Sequence, residues 1–142
     1  MTVLIDADGC PVVDITVRLA AEFKASCVII CDTSHVFEKP GAKTVTVSKG
    51  SDSVDFALVN MVKPGDIVVT QDYGLAAMCI AKLAVPVNQD GMVYTNENID
   101  GLLLARHTAK KIRMSGGRLK GSAKRTPEQD TAFEKRLREL LA

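Results

Sequence analysis

Short apolar runs alternate along this chain with longer stretches in which apolar positions recur every three to four residues. Residues 3–6, 27–31, 44–47, 67–70 and 84–87 read as five strands, rich in valine and isoleucine. Between them, 12–24 carries Val13, Val17, Ala20 and Ala21 at helical spacing, with Pro11 suited to the first turn of that helix. Residues 51–62 and the alanine-rich 73–83 read as two more helices, the former stopped by Pro64-Gly65. Residues 32–43 read as a loop around Pro40-Gly41, and 92–95 as a small extra strand after the Asp90-Gly91 turn. Strands alternating with helices predict βαβ units and a mostly parallel α/β sheet, with right-handed crossovers placing helices on both faces. The strands are nearly continuous in apolar character, as a sheet covered on both sides requires.

After Asn98 the pattern changes. Residues 99–113 look helical but turn basic, 115–122 are Gly-rich, and Thr126-Pro127-Glu128 opens a last helix. Thr126 is a plausible N-cap there, Gln129 sits at the capping-box position, and Phe133, Leu137, Leu140 and Leu141 form an apolar stripe able to dock. The whole, 1–142, is expected to be a single domain, with a basic segment at 106–125 and a C-terminal helix at 126–142.

Composition changes the picture only when charge is located. The 142 residues carry a net charge of +1. Residues 1–105 hold 7 basic and 13 acidic side chains (−6), 106–125 hold 8 basic and none acidic (+8), and 126–142 hold 3 and 4 (−1). An acidic body with a basic band points to a polyanionic partner. Four cysteines, Cys10, Cys27, Cys31 and Cys79, show no C-x-x-C spacing, which argues for reduced structural thiols rather than zinc. No apolar stretch reaches the roughly 20 residues of a membrane span. With Met1 leading almost directly into a strand, a cytoplasmic protein without a membrane partner is expected.

The candidate chemistry lies in five aspartates: Asp6 and Asp8 after the first strand, Asp52 and Asp55 opening a helix, and Asp72 after the fourth strand. In a parallel sheet the C-terminal strand ends share one edge, where ligands bind. Carboxylates gathered there repel one another unless protons or a cation intervene. Mg²⁺ or Mn²⁺ prefers such hard oxygen donors. Each aspartate also has a simpler role as a helix cap or as a complement to a helix dipole. Asp6 is the hardest to explain that way, since it ends a strand well before any helix. No histidine or serine constellation competes for the chemistry.

The segments D-A-D-G-C-P-V, G-S-D-S-V-D, G-D-I-V-V-T-Q-D-Y-G-L-A and Y-T-N-E-N-I, with the basic G-G-R tail, resemble the YaiI/YqxD family of bacterial proteins over essentially the whole chain. That resemblance implies a three-layer PIN-like nuclease domain. Its five-stranded parallel sheet would have the order 3-2-1-4-5, with an acidic pocket above strands one and four. Asp6 and Asp8 match the family's D-x-D, Asp72 its T-Q-D, and Asp52 and Asp55 the acidic positions of G-x-D-x-x-D. The chain departs at Phe56, where a second acidic residue is expected directly after Asp55. Asp90 corresponds only weakly to the late acidic residue of PIN-like nucleases.

The expected function is metal-dependent hydrolysis of a nucleic acid, RNA ahead of DNA, with Mg²⁺ or Mn²⁺. Asp6, Asp8, Asp52 and Asp72 are the expected metal ligands. Asp6, Asp55 and Asp72 carry catalysis, Asp55 by orienting a water. Arg106, Lys110, Arg113, Arg118, Lys120, Lys124 and Arg125 are the expected phosphate-binding set; the simpler reading is a solvated helix face and loop. Aromatic residues are scarce in that band, which gives base stacking little support there. One alternative is a nucleic-acid-binding or regulatory module with a degenerate pocket. Another is a phosphatase of the haloacid dehalogenase class, whose opening motif I-D-A-D-G resembles; its later G-D motif falls before the fourth strand at Gly65-Asp66 rather than after it. His35 and His107 are expected to be surface or supporting groups, and Cys10 lacks a partner base.

Overall fold

A computed structural model describes residues 1–35, 37–50, 52–114, 116 and 124–142, with the side chains of Arg106 and Arg113 excepted. Its strands are β1 (Thr2–Asp6), β2 (Ser26–Asp32), β3 (Lys43–Val47), β4 (Ile67–Val69) and β5 (Val85–Val87). Its helices are α1 (Val13–Glu22), α2 (Ser53–Met61), α3 (Tyr73–Ala81), α4 (Asn96–Met114) and α5 (Pro127–Leu141). All strand pairs are parallel, in the order β3-β2-β1-β4-β5.

The sheet is central because both of its faces are apolar. Val3 and Ile5 point into one layer with α1 and α5, while Leu4, between them, packs with Leu58 of α2 and Leu75 and Cys79 of α3. This is the period-two alternation of a strand, with both sides covered. The predicted stripe on α5 docks as expected: Phe133, Leu137 and Leu141 are buried against the α1 side, with Leu140 packed beside them. Ion pairs Arg18–Glu134 and Arg138–Glu22 (3.0 Å) flank that contact. A third, smaller cluster of Ala76, Tyr94 and Ile99 joins α3 to α4.

Several boundaries differ from the sequence reading. Pro11 precedes α1 instead of lying in its first turn; Val12 is the N-cap and its carbonyl accepts from Thr16 N at 3.0 Å. Residues 92–95 form no strand but a single antiparallel bridge, Val87 to Val93. α4 begins three residues before Ile99, because Thr95 and Asn98 cap it reciprocally. Asn98 Oδ1 accepts from Thr95 N (2.9 Å), and Thr95 Oγ1 accepts from Asn98 N (3.2 Å). At α5, Gln129 Oε1 accepts the Thr126 N–H at 2.7 Å, the reach-back of the expected capping box. Ser51, and all of the Gly-rich segment 115–122 except Gly116, lie outside the described residues.

Candidate functional site

The strand order reverses between β1 and β4, since the chain runs outward from β1 through β2 to β3 on one side and from β4 to β5 on the other. Such a switch point leaves a crevice beyond the strand C-termini. Asp6 closes β1 at that crevice. Its Oδ2 accepts a 2.7 Å hydrogen bond from Thr70 Oγ1, and the same Oγ1 accepts from Asp72 N at 3.0 Å. Thr70 is itself held by Tyr94, whose buried hydroxyl donates to the Thr70 carbonyl at 3.2 Å. Gln71 Nε2 donates to the Gly9 carbonyl at 3.0 Å and ties the loop after β4 to the loop after β1.

Asp72 serves both of the roles foreseen for it. Its Oδ1 accepts from Gly74 N (2.9 Å) and Leu75 N (3.2 Å), capping α3, while the residue also lines the cleft. Asp52 does not cap α2: its backbone is left-handed (φ 65°), its side chain accepts no helix N–H, and it is exposed at the cleft. Asp55, in the first turn of α2, turns inward toward Asp72.

These carboxylates line two adjoining cavities at one edge of the sheet. The larger, about 460 Å³, is lined by Asp6, Asp8, Gly9, Gln71, Asp72 and Tyr73. The other, about 240 Å³, brings in Asp32, Asp52 and Asp55 beside Asp6, Asp8 and Asp72. Among the described residues, no lysine or arginine lines either one. Burial pushes the Asp6 carboxyl up to about 6, against the Thr70 hydrogen bond and with help from Asp72 and Asp8. Burial also raises Asp55 to about 6, with the charges of Asp72, Asp6 and Asp52 and a hydrogen bond shared with Asp72 adding to it. Burial pushes the Cys10 thiol up to about 11, so a nucleophilic thiolate there is disfavoured.

Asp32 escaped the sequence reading, and His35, expected to be a surface or supporting group, supports Asp8. Asp32, at the end of β2, donates its backbone N–H to Asp8 Oδ2 at 3.2 Å. His35 Nδ1 lies 2.8 Å from Asp8 Oδ1 and 3.5 Å from Asp32 Oδ1. The Ser34 N–H, at 2.7 Å, holds the Asp32 carboxyl below its usual range. Among the described residues, Asp8, Asp32 and His35 are the group whose donor atoms all fall within 4.8 Å of one another. Asp6, Asp52 and Asp72 share the cleft without being drawn that close. Despite the nearness of His35, Asp8 Oδ1 is buried and has no partner in hydrogen-bond geometry. The signal that would have found Asp32 was present, since it too is an aspartate closing a strand.

Of the expected phosphate-binding residues, Lys110, Lys124 and Arg125 have described side chains. Lys110 and Lys124 are exposed. Arg125 is engaged within the protein: Nε to Asp130 (2.8 Å), Nη1 to Asp90 (2.9 Å) and Nη2 to the Gln89 carbonyl (2.7 Å). Asp90 is thus the partner of a cation and not a member of the cleft. Arg118 and Lys120 lie outside the described residues, as do the side chains of Arg106 and Arg113. Asp66 sits at the opposite end of the sheet, buried and accepting from Thr2 N (3.0 Å) and Lys63 N (2.9 Å). It cannot complete a haloacid-dehalogenase pocket. Among the described residues no helix is long and apolar enough to cross a membrane.

Fold and site together define a parallel α/β protein with a carboxylate cluster at the topological switch point. The family model described as "Uncharacterized BCR, YaiI/YqxD family" matches residues 4–142, and the chain belongs to that family. It is similar to the UPF0178 protein of Exiguobacterium sibiricum, 52% identical over 141 residues, covering 99% of this chain and 96% of that protein. It is also similar to a UPF0178 protein of Clostridium acetobutylicum (45% over 143 residues, 99% and 97%) and one of Ruminiclostridium cellulolyticum (50% over 137 residues, 96% and 90%). No solved structure matches it significantly.

Proposed function

We propose that the protein is a PIN-like nuclease that hydrolyses phosphodiesters of a nucleic acid, RNA ahead of DNA, with Mg²⁺ or Mn²⁺. One observation carries this reading: Asp6, Asp8, Asp55 and Asp72 converge on one cleft that no lysine or arginine lines among the described residues, and two of them have carboxyl groups raised to about 6. Such crowding is relieved by protons or by a cation. The residues fit a hard divalent ion, because the donors are carboxylate oxygens and Asp8 Oδ1 is buried with no partner in hydrogen-bond geometry, its ion-pair neighbour being His35 Nδ1 at 2.8 Å. Asp6, Asp8 and Asp72 would hold it, with Asp52 at the open side of the cleft. When bound, such an ion acidifies water and offsets charge on phosphoryl oxygens.

The remaining work falls to this chain's own groups. Thr70 fixes the Asp6 carboxylate and the Asp72 backbone in one geometry. Asp55, with a carboxyl near 6, is suited to accept a proton from an attacking water at neutral pH. Lys110 and Lys124 would meet phosphates farther along the strand.

A second reading, a binding or regulatory module with a degenerate pocket, is favoured by Phe56 standing where a further acid is expected and by the spread of the predicted ligands. The two separate in one experiment: a labelled single-stranded RNA with Mn²⁺, with Mg²⁺ or with EDTA, using wild type and Asp6→Asn. The nuclease reading expects cleavage with metal that is lost in EDTA and in the variant. Binding without cleavage, unchanged in Asp6→Asn, would replace it with the second reading.

A further inference from the structure

Beside the acidic cleft lies a cavity of different character. It has a volume of about 320 Å³ and is lined by Asp52, Asp55 and Asp72 together with Phe56, Leu75 and Met78. Phe56 is 65% exposed, more than any other phenylalanine or tyrosine of the chain, and Met78 is 40% exposed. Gly74 lines the same space, and a Cβ there would come within 3.3 Å of Asp72 Oδ1. A phenylalanine this open gains nothing from burial, and a surface helix position next to two aspartates would ordinarily carry a polar residue.

This cavity and the 240 Å³ one share Asp52, Asp55 and Asp72 in their linings. A ligand that bridges them would offer oxygens to a cation held by the carboxylates on one side and a flat apolar group to the shelf on the other. A nucleotide unit has this form, with its phosphate at the carboxylate site and its base a sugar's length away. We propose that the Phe56–Met78 shelf is a nucleobase subsite, which stacks the base next to the phosphate under attack and thereby selects single-stranded substrate. This deepens the nuclease reading and rests on it. A base in a duplex keeps its faces against its neighbours, whereas an unpaired base offers a free π-face to an aromatic ring. Tyr73 lines the 460 Å³ cavity, with its ring 6.0 Å from that of Tyr94 in an edge-on arrangement. The strand would thus run between an apolar shelf and a braced tyrosine.

The test is equilibrium binding of a fluorescein-labelled twelve-nucleotide oligoadenylate and of a duplex of equal length, in Ca²⁺ so that neither is cut. Wild type, Phe56→Ala and Phe56→Trp are compared, with thermal melts to confirm folding. Phe56→Ala should weaken single-strand binding by about tenfold and leave duplex binding unchanged, while Phe56→Trp keeps the wild-type affinity. Equal affinity of Phe56→Ala and wild type for the single strand overturns the subsite while leaving the nuclease reading standing. A wild type that binds neither probe overturns both. Sedimentation that shows a wild-type dimer dissolved by Phe56→Ala would assign the shelf to a second copy of the chain and overturn the subsite as well.

Discussion

Asp6 and Asp55 each carry a carboxyl raised to about 6 from the usual 3.8, and the sign of that shift determines how the protein responds to pH. Between about pH 4 and 6 the folded state binds more protons at these groups than the unfolded chain does. Their contribution to stability is therefore fully present below about pH 4 and is lost as pH rises through 6. Without divalent ions, the melting temperature should rise as pH falls from 7.5 to 5. Asp6→Asn, which cannot ionise, should be more stable than wild type at pH 7.5 by about 1–2 kcal/mol, since Asp6 is largely buried. Mn²⁺ should reverse the order: at about a hundredfold excess over its dissociation constant, the wild type gains about 2.7 kcal/mol and the variant little. A flat profile in the metal-free wild type, or a variant less stable than it, would remove the basis for this account. At this scale most of the site was legible, because an aspartate at the end of an apolar run is visible in any sequence. Asp32 was not read, and His35 was read without its partner, because their link to Asp8 crosses from one strand to another and D-T-S-H looks locally like the start of a loop.

Among the elements, the strands and their parallel pairing follow from apolar runs separated by helical stretches, and the register follows from which residues must face which layer. The helix starts were harder. Asp52 resembles an N-cap in sequence but adopts a left-handed backbone and faces the cleft. Conversely, the T-x-x-N signal of Thr95 and Asn98 was present, but Thr95 was read as the end of a small strand and the helix as starting at Ile99. The docking of α5 depends on a position with no helical signal at all. Gly91 has φ +87°, and a Cβ on it would lie 2.7 Å from the Ala132 carbonyl oxygen, a backbone atom that cannot swing aside. Gly91→Ala should therefore destabilise the protein by about 2–3 kcal/mol, through both the left-handed backbone and the displaced helix. Urea denaturation reads the shift in midpoint. Mn²⁺ binding should persist in the fraction that remains folded, since the cleft lies elsewhere. An alanine variant as stable as wild type would mean that α5 does not seat against this turn as described.

For the molecule as a whole, the separation of charge governs how a polyanion would approach. An acidic body repels phosphates, so attraction must come from the band at 106–125 and be relayed to the cleft. The sequence gives the band's charge but not which cations are committed elsewhere. Arg125 reads there as one of eight equivalent charges, yet its guanidinium joins Asp90, the Gln89 carbonyl and Asp130, tying the turn after β5 to the start of α5. Gln89 and Asp90 follow the C-terminal end of β5 in the parallel sheet, so the anchored end of the band lies at the same sheet edge as the carboxylates. Lys124 is exposed next to that anchor, and Lys110 is exposed on α4. The two kinds of cation should therefore respond differently to salt. For a single strand, the slope of log affinity against log salt falls in magnitude by about 0.7 for each phosphate contact removed. Lys110→Ala with Lys124→Ala should make the slope shallower by up to about 1.4, with thermal stability unchanged. Arg125→Ala should lower the melting temperature, because Asp90 and Asp130 lose their partner, and leave the slope nearly as it was. Fluorescence anisotropy with a short single-stranded RNA across a salt titration measures both. If removing the two lysines leaves the slope untouched while Arg125→Ala flattens it, then the internal ion pairs open on binding and Arg125 is the residue that meets the strand.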